Sequence, residues 1–88
     1  PVFKAVNGNL SDKVTGKYNV IVANIVADII MDFNKEVGHF LDKDGVYITG
    51  GIIDSRKDEV IYSFEQNGFK IIENFEEKGW NVFVCKAK

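Results

Sequence analysis

A strand–helix–strand pattern in the first half of the chain is the feature that most restricts how it can fold. Lys17–Asn24 contain a continuous run of β-branched apolar residues, typical of a strand that is covered on both faces. In Val26–Leu41 the apolar residues recur at the spacing of one helical face, and Val46–Thr49 resemble a second buried strand. Asp42–Gly45 are predicted to form the turn between them. The unit spans about 33 residues, so the two strands are expected to lie parallel in one sheet, joined by a right-handed crossover.

The remaining elements extend this unit on both sides. Val2–Val6 indicate the end of a preceding strand. A second helix is expected to start with Asp54 or Ser55 as its cap and to end at Asn67 and Gly68. Two further strands are predicted, Phe69–Glu76 and Trp80–Lys86. Because only three residues separate these two strands, they must form an antiparallel hairpin, which gives an α/β sheet that is parallel at one end.

Composition narrows the class of protein. With 88 residues the chain forms one domain at most, and none of its apolar runs approaches the roughly 20 residues needed to cross a bilayer. The net charge is −2 and the lysines are scattered, which disfavours nucleic acid as a direct partner. Cys85 is the only cysteine, so an intramolecular disulfide is impossible and a reducing, cytosolic setting is expected. Since the chain starts at Pro1 and its only methionine is Met31, we expect a processed product or a fragment.

Asn24 is the strongest candidate for a functional residue. It ends the most apolar predicted strand, and ligands of open parallel sheets bind at the carboxyl ends of the strands. Its carboxamide oxygen can accept a hydrogen bond from an amine N–H and so orient the nitrogen lone pair toward an electrophile. The alternative is that Asn24 only caps the following helix, and the residues by themselves favour that alternative.

Other polar or reactive residues carry weaker signals. Gly8–Asn9 and Gly50–Gly51 end the neighbouring strands, so with Asn24 they predict a shallow polar crevice. His39 has no second histidine or cysteine at ligand spacing, and no metal site is predicted. Cys85 is expected to be packed or edge-facing and to lack a nucleophilic role. Trp80 and the seven phenylalanines are expected to lie in the core.

Three segments together resemble a known family. They are Tyr18–Asp28 (YNVIVANIVAD), Ile48–Ile53 (ITGGII) and Asn67–Phe69 (NGF). This combination is similar to the C-terminal half of the ribosomal protein L11 methyltransferases (PrmA-type). In that family the Val-Ala-Asn-Ile stretch corresponds to the Asn/Asp-Pro-Pro-Tyr motif of other amino-group methyltransferases. Thr49–Ile52 stand where the family carries a Ser-Gly-Ile stretch.

The resemblance implies a fold and a cofactor. The fold is a Rossmann-like, class I methyltransferase sheet, of which residues 1–88 would be a single partial domain holding strands three to seven. The cofactor is S-adenosylmethionine, with Asn24 contacting its methionine end and the incoming amino group. Asn9 stands where such enzymes carry an acidic residue that binds the adenine amino group, and its amide oxygen can accept the same hydrogen bond. The glycine-rich turn and the ribose-binding acidic residue of the family do not occur in this chain.

The implied function is methyl transfer to lysine side chains and the N-terminal amine of a large-subunit ribosomal protein in the cytoplasm, by a longer parent enzyme. The isolated chain, with half of a cofactor site, is expected to be inactive. Two alternatives stay open. One is an amino methyltransferase acting on another class of substrate. The other is a non-catalytic α/β module that self-associates through an exposed edge of its sheet.

Overall fold

The computed structural model describes the backbone of residues 4–6 and the backbone and side chains of residues 16–88. The strands and helices are β1 (Lys4–Val6), β2 (Tyr18–Asn24), α1 (Ala27–Phe33), β3 (Leu41–Ile53), α2 (Lys57–Gln66), β4 (Phe69–Glu77) and β5 (Trp80–Ala87). Short 3₁₀ turns at Val37–His39 and Asp54–Arg56 precede β3 and α2. This is the predicted order of strands and helices.

The strands form one sheet in the order β1-β2-β3-β5-β4. β1, β2 and β3 are parallel, whereas β5 runs antiparallel to both β3 and β4. The parallel end and the antiparallel hairpin are therefore confirmed. The position of β5 between β3 and β4 was not predicted from the sequence. It brings the start of β5 beside the carboxyl end of β3, where Trp80 pairs with Ile53.

The first helix is much shorter than the spacing of its apolar residues predicted. α1 ends at Phe33, and the predicted continuation to Leu41 is wrong. Val37 is still buried, because a 3₁₀ turn places residues three apart on one side much as an α-helix does. Gly38 within this segment disfavours a continuous α-helix. Apolar periodicity therefore predicted the buried residues correctly but not the backbone that carries them.

β3 begins at Leu41, five residues before the predicted start. Tyr18 pairs with Leu41 and Val20 with Val46, so one residue of β2 lies opposite four residues of β3. The predicted turn at Asp42–Gly45 is thus present as a wide bulge inside the strand. Asp44 adopts a positive φ of 65° there, a conformation that Asp tolerates better than most residues.

Both helices cover the same face of the sheet. Tyr47 lies at the centre of this core, with ring centroids 5.4 to 6.1 Å from those of Phe33, Phe64 and Phe69. In β2, Ile21 and Ala23 are fully buried on this side. The opposite face is only half covered in the described residues, where it carries Val20, Val22, Ile48 and Val84. The prediction that β2 is covered on both faces therefore holds for one of them.

A buried hydrogen-bond chain ties the helices to the sheet. The Tyr47 hydroxyl donates to Asn34 Oδ1 at 2.8 Å, and Asn34 Nδ2 donates to Ser63 Oγ at 3.0 Å. Asn34 directly follows α1, Tyr47 lies in β3 and Ser63 lies in α2. Asn34 is buried, and these bonds satisfy its polar atoms inside the core.

The predicted caps of α2 are wrong. α2 starts at Lys57, its cap residue is Arg56, and no side chain forms a cap hydrogen bond. Asp54 instead accepts a hydrogen bond from Asn81 Nδ2 at 2.7 Å, which holds the end of β3 against β5. Asp58 and Glu59 do lie in the first turn, where negative charge is favourable, and the helix ends before Gly68 at φ 85° as predicted.

Candidate functional site

Asn24 lies exposed at the carboxyl end of β2, where it pairs with Gly50 of β3. The following helix starts at Ala27 with Val26 as its cap residue, and no side chain caps it. The capping role for Asn24 is therefore wrong. Among residues 16–88 no hydrogen bond engages its carboxamide.

Two glycines make room for this carboxamide. A Cβ at Gly50 would lie 3.3 Å from Asn24 Oδ1, and a Cβ at Gly51 would lie 3.0 Å from the same oxygen. At Gly51 it would also lie 3.1 Å from the carbonyl oxygen of Ile25, and the φ of +76° is strained for any residue with a side chain. The Gly50–Gly51 pair is thus a cradle that holds Asn24 at the carboxyl edge of the sheet.

We expect Gly51→Ala to damage this cradle. The new Cβ combines a left-handed backbone with two short contacts, so the free energy of unfolding should fall by about 2 kcal/mol or more. Gly68→Ala is the matched control, because Gly68 has a φ of +85° but nothing within 4 Å of its Cβ position. That control should lose about 1 kcal/mol from the backbone alone. Equal losses in chemical denaturation would show that the contacts with Asn24 and Ile25 are relieved without cost.

Of the other residues near the predicted crevice, two lie outside the described residues and one lies in the core. Asn9 and the preceding Gly8 lie outside the described residues. Thr49 points to the helix-covered face and is fully buried, and its hydroxyl has no hydrogen-bond partner in the part of the chain that the structure describes. Of the Thr-Gly-Gly stretch only the two glycines therefore reach Asn24.

The structure adds the β4–β5 hairpin to this edge, which sequence reasoning missed. Thr49 pairs with Phe83 and Ile52 with Asn81, so Gly50 and Gly51 bulge opposite Val82. Val82 in turn pairs with Phe75. A single row thus crosses the sheet from β2 to β4 on the face away from the helices, and its members are Asn24, Gly50, Val82 and Phe75.

The prediction that Trp80 and every phenylalanine lie in the core is wrong for this hairpin. Trp80 is 54% exposed, Phe75 55% and Val82 37%. β5 is apolar on both of its faces, so alternation could not tell which face is covered. The usable signal was in β4, where three glutamates around Phe75 are typical of an exposed edge strand.

Cys85 and His39 are the side chains weighed above as a possible nucleophile and a possible metal ligand. Burial raises the pKa of the Cys85 thiol to about 12, so the reactive thiolate is scarce at neutral pH, as predicted for a packed cysteine. His39 is exposed in its 3₁₀ turn. Within residues 4–6 and 16–88 no three His, Cys, Asp or Glu side chains are grouped closely enough to hold a metal ion.

Two charged side chains that follow β3, Asp54 and Arg56, are held by hydrogen bonds to other side chains. The hydrogen bond from Asn81 lowers the pKa of the Asp54 carboxyl. Arg56 donates to Asp28 at 2.6 Å and to Glu59 at 2.8 Å, and these two carboxylates raise the pKa of its guanidinium. Arg56 thereby joins the first turns of α1 and α2. In the described part of the chain no helix is long and apolar enough to cross a membrane.

Comparisons with known proteins agree on one family. The family model for ribosomal protein L11 methyltransferase (PrmA) matches residues 2–88. The chain is 46% identical over 78 residues to the ribosomal protein L11 methyltransferase of Dictyoglomus thermophilum, which covers 89% of this chain and 26% of the relative. It is also 46% identical over 81 residues to that of Clostridium perfringens strain SM101, covering 92% of this chain and 26% of the relative.

A solved structure supports the same fold. The crystal structure of the ribosomal protein L11 methylase from Lactobacillus delbrueckii subsp. bulgaricus superposes with a TM-score of 0.87 at 28% identity. The match covers 92% of this chain and 42% of that one, and it confirms the predicted Rossmann-like methyltransferase sheet. The chain spans about a quarter of the length of the curated relatives that it matches. It belongs to the ribosomal protein L11 methyltransferase (PrmA) family.

Proposed function

We propose that this chain forms the acceptor-side half of the catalytic domain of a protein methyltransferase that uses S-adenosylmethionine. The substrate is ribosomal protein L11, which the relatives' names specify, and the acceptors are lysine side chains and the N-terminal amine. The observation that carries this proposal is that Asn24 is exposed, does not cap the following helix and lies beside the Gly50–Gly51 cradle. The cradle fits a cofactor at this edge, because a side chain at either glycine would fill the space beside the carboxamide.

Asn24 acts through orientation and forms no covalent bond. Its Oδ1 accepts a hydrogen bond from the neutral acceptor amine, which fixes the direction of the nitrogen lone pair. When bound, the cofactor supplies the electrophilic methyl group. Gly50 and Gly51 keep the carboxamide in place, and Asn9 is proposed to accept a hydrogen bond from the adenine amino group.

Residues 1–88 are proposed to be one partial domain, equivalent to strands three to seven of the family sheet. The glycine-rich turn and the ribose-binding acidic residue of the family are contributed from outside these residues. The chain by itself is therefore proposed to be inactive, and the complete enzyme is proposed to work in the cytoplasm, where its ribosomal substrate is made.

The test uses the full-length enzyme that carries this segment. Incubated with S-adenosylmethionine and ribosomal protein L11, it should add methyl groups to lysines and the N-terminal amine, located by mass spectrometry of the digested substrate. Calorimetry should find negligible cofactor binding to the 88-residue chain. An unmodified L11 together with methylation of another substrate class would overturn the choice of substrate, and micromolar binding by the short chain would overturn the half-site.

Self-association through a sheet edge stays a proposal with a restricted location. β4 is one edge of the sheet and carries Glu73, Glu76 and Glu77, whose like charges oppose pairing of two copies there. The other edge, at β1, is therefore the place for such pairing. Light scattering on the 88-residue chain tests this proposal, since a monomer at high concentration contradicts it.

A further inference from the structure

The tip of the β4–β5 hairpin carries an exposed concavity that takes no part in the proposed binding of the acceptor amine at Asn24. It has a volume of about 730 Å³ and is lined by Phe75, Glu76, Glu77, Lys78, Trp80 and Val82. We call these six residues the hairpin surface. Both of its aromatic side chains, Phe75 and Trp80, are more than half exposed. Large exposed apolar patches with a polar rim are characteristic of binding surfaces.

The hairpin surface is continuous with the site at Asn24, where the acceptor amine is proposed to bind. Val82 Cγ2 would lie 3.9 Å from a Cβ at Gly50, the position that Asn24 Oδ1 approaches to 3.3 Å. Phe75 pairs with Val82 on the next strand outward. Because neighbouring strands are about 4.8 Å apart, Phe75 lies about 14 Å from Asn24 across the sheet. The residues that flank an amine placed at Asn24 are therefore within reach of this surface.

The negative charge of the hairpin surface and its surroundings favours a positively charged partner. Glu73 and Glu77 lie on the same face of β4 as Phe75, and Lys78 is the one cation among the six residues. Glu76 lies on the other face, where it pairs with buried Asn81, and its carboxyl interacts with that of Asp54. Lysine and arginine side chains combine an apolar stem with a charged head, which suits an aromatic floor with a carboxylate rim. A second copy of the hairpin would oppose acid to acid, and a nucleic acid would oppose phosphate to carboxylate.

We propose that the hairpin surface docks a basic, extended segment of the acceptor protein next to the amine that is methylated. Cationic stems pack on Trp80 and Phe75, and their charged heads pair with Glu73 and Glu77. This proposal rests on the proposed function, since it assumes that the acceptor is a protein. It adds a site for recognition outside the reacting centre, where binding energy fixes the register of the acceptor chain.

Two variants of the full-length enzyme test the proposal by steady-state kinetics with ribosomal protein L11. In E73K/E77K the two exposed carboxylates that flank Phe75 are reversed, and in Trp80→Ala the aromatic floor is truncated. Each should raise the KM for L11 about tenfold or more, whereas the KM for S-adenosylmethionine and the kcat at saturating L11 stay within about twofold. Tyr62→Ala is the matched control, because Tyr62 is also an aromatic residue that is more than half exposed, and it lies on α2.

Direct binding separates this proposal from the proposed function. Calorimetry without cofactor measures the affinity of the enzyme for L11 and for a lysine-rich peptide, so it needs no methyl transfer. Wild-type binding that weakens in E73K/E77K and falls with added salt supports the docking surface, even if L11 is never methylated. An L11 affinity and KM unchanged in both variants, with methylation intact, would overturn the docking surface and leave the proposed function standing.

Discussion

Asn24→Ala in the full-length enzyme should lower kcat by about 100-fold or more while leaving the melting temperature within about 2 °C of wild type. Loss of a single orienting hydrogen bond at a reacting centre has consequences of this size. Stability should change little because Asn24 is exposed, caps no helix and has no hydrogen bond among residues 16–88. The measurement is a methyl-transfer assay at saturating cofactor and acceptor, paired with thermal unfolding.

Two companions sharpen this experiment. Asn24→Asp keeps the accepting oxygen but adds a negative charge, so it should retain more activity than Asn24→Ala. Asn19→Ala changes an exposed asparagine of the same strand, at its far end, and should match the wild-type enzyme. Unchanged turnover in Asn24→Ala would remove the residue from the mechanism, since the capping role has already been excluded.

Asn34→Ala should be the most destabilising single substitution of a polar residue in the described part of the chain. It removes the acceptor of the buried Tyr47 hydroxyl and the donor to Ser63, and it leaves a cavity beside the core. Together these effects should lower the free energy of unfolding by about 3 kcal/mol. Denaturant unfolding of the full-length enzyme, or of the chain if it folds alone, measures the loss.

The same chain of hydrogen bonds offers a matched pair of tyrosines. Tyr47→Phe leaves Asn34 Oδ1 buried without a donor and should cost about 1–3 kcal/mol, whereas Tyr62→Phe on the exposed side of α2 should be neutral. Combining Tyr47→Phe with Asn34→Leu replaces both polar partners and should recover part of the loss. A Tyr47→Phe enzyme as stable as wild type would mean that water satisfies Asn34.

Sequence patterns predicted local structure well, and they failed where the structure depends on residues that are far apart in the chain. Local patterns located the strands, because β-branched runs bounded by glycine have few other solutions. The length of α1 was wrong because apolar periodicity cannot distinguish an α-helix from an α-helix followed by a 3₁₀ turn. The caps at Asp54 and Ser55 failed for a different reason, since a distant residue, Asn81, takes the Asp54 carboxylate.

The candidate site was predictable where it depended on strand ends and not where it depended on strand order. Asn24 and Gly50–Gly51 follow from the rule that parallel strands end at one edge. The hairpin surface depends on the insertion of β5 beside β3, a long-range pairing that no local pattern encodes. Trp80 was therefore expected in the core, although its side chain lies with that of Val82 on the face of β5 away from the helices.

Because one face of the sheet is only half covered, its stability depends on what packs against that face. Val20, Val22, Ile48 and Val84 form a row of apolar side chains on the side away from α1 and α2, each retaining some contact with solvent. Any polypeptide that packs on this row in the folded state but not in the unfolded state raises the apparent stability by mass action. The folding equilibrium of these strands is thereby linked to that of whatever covers them, so the sheet and its cover should melt as one cooperative unit.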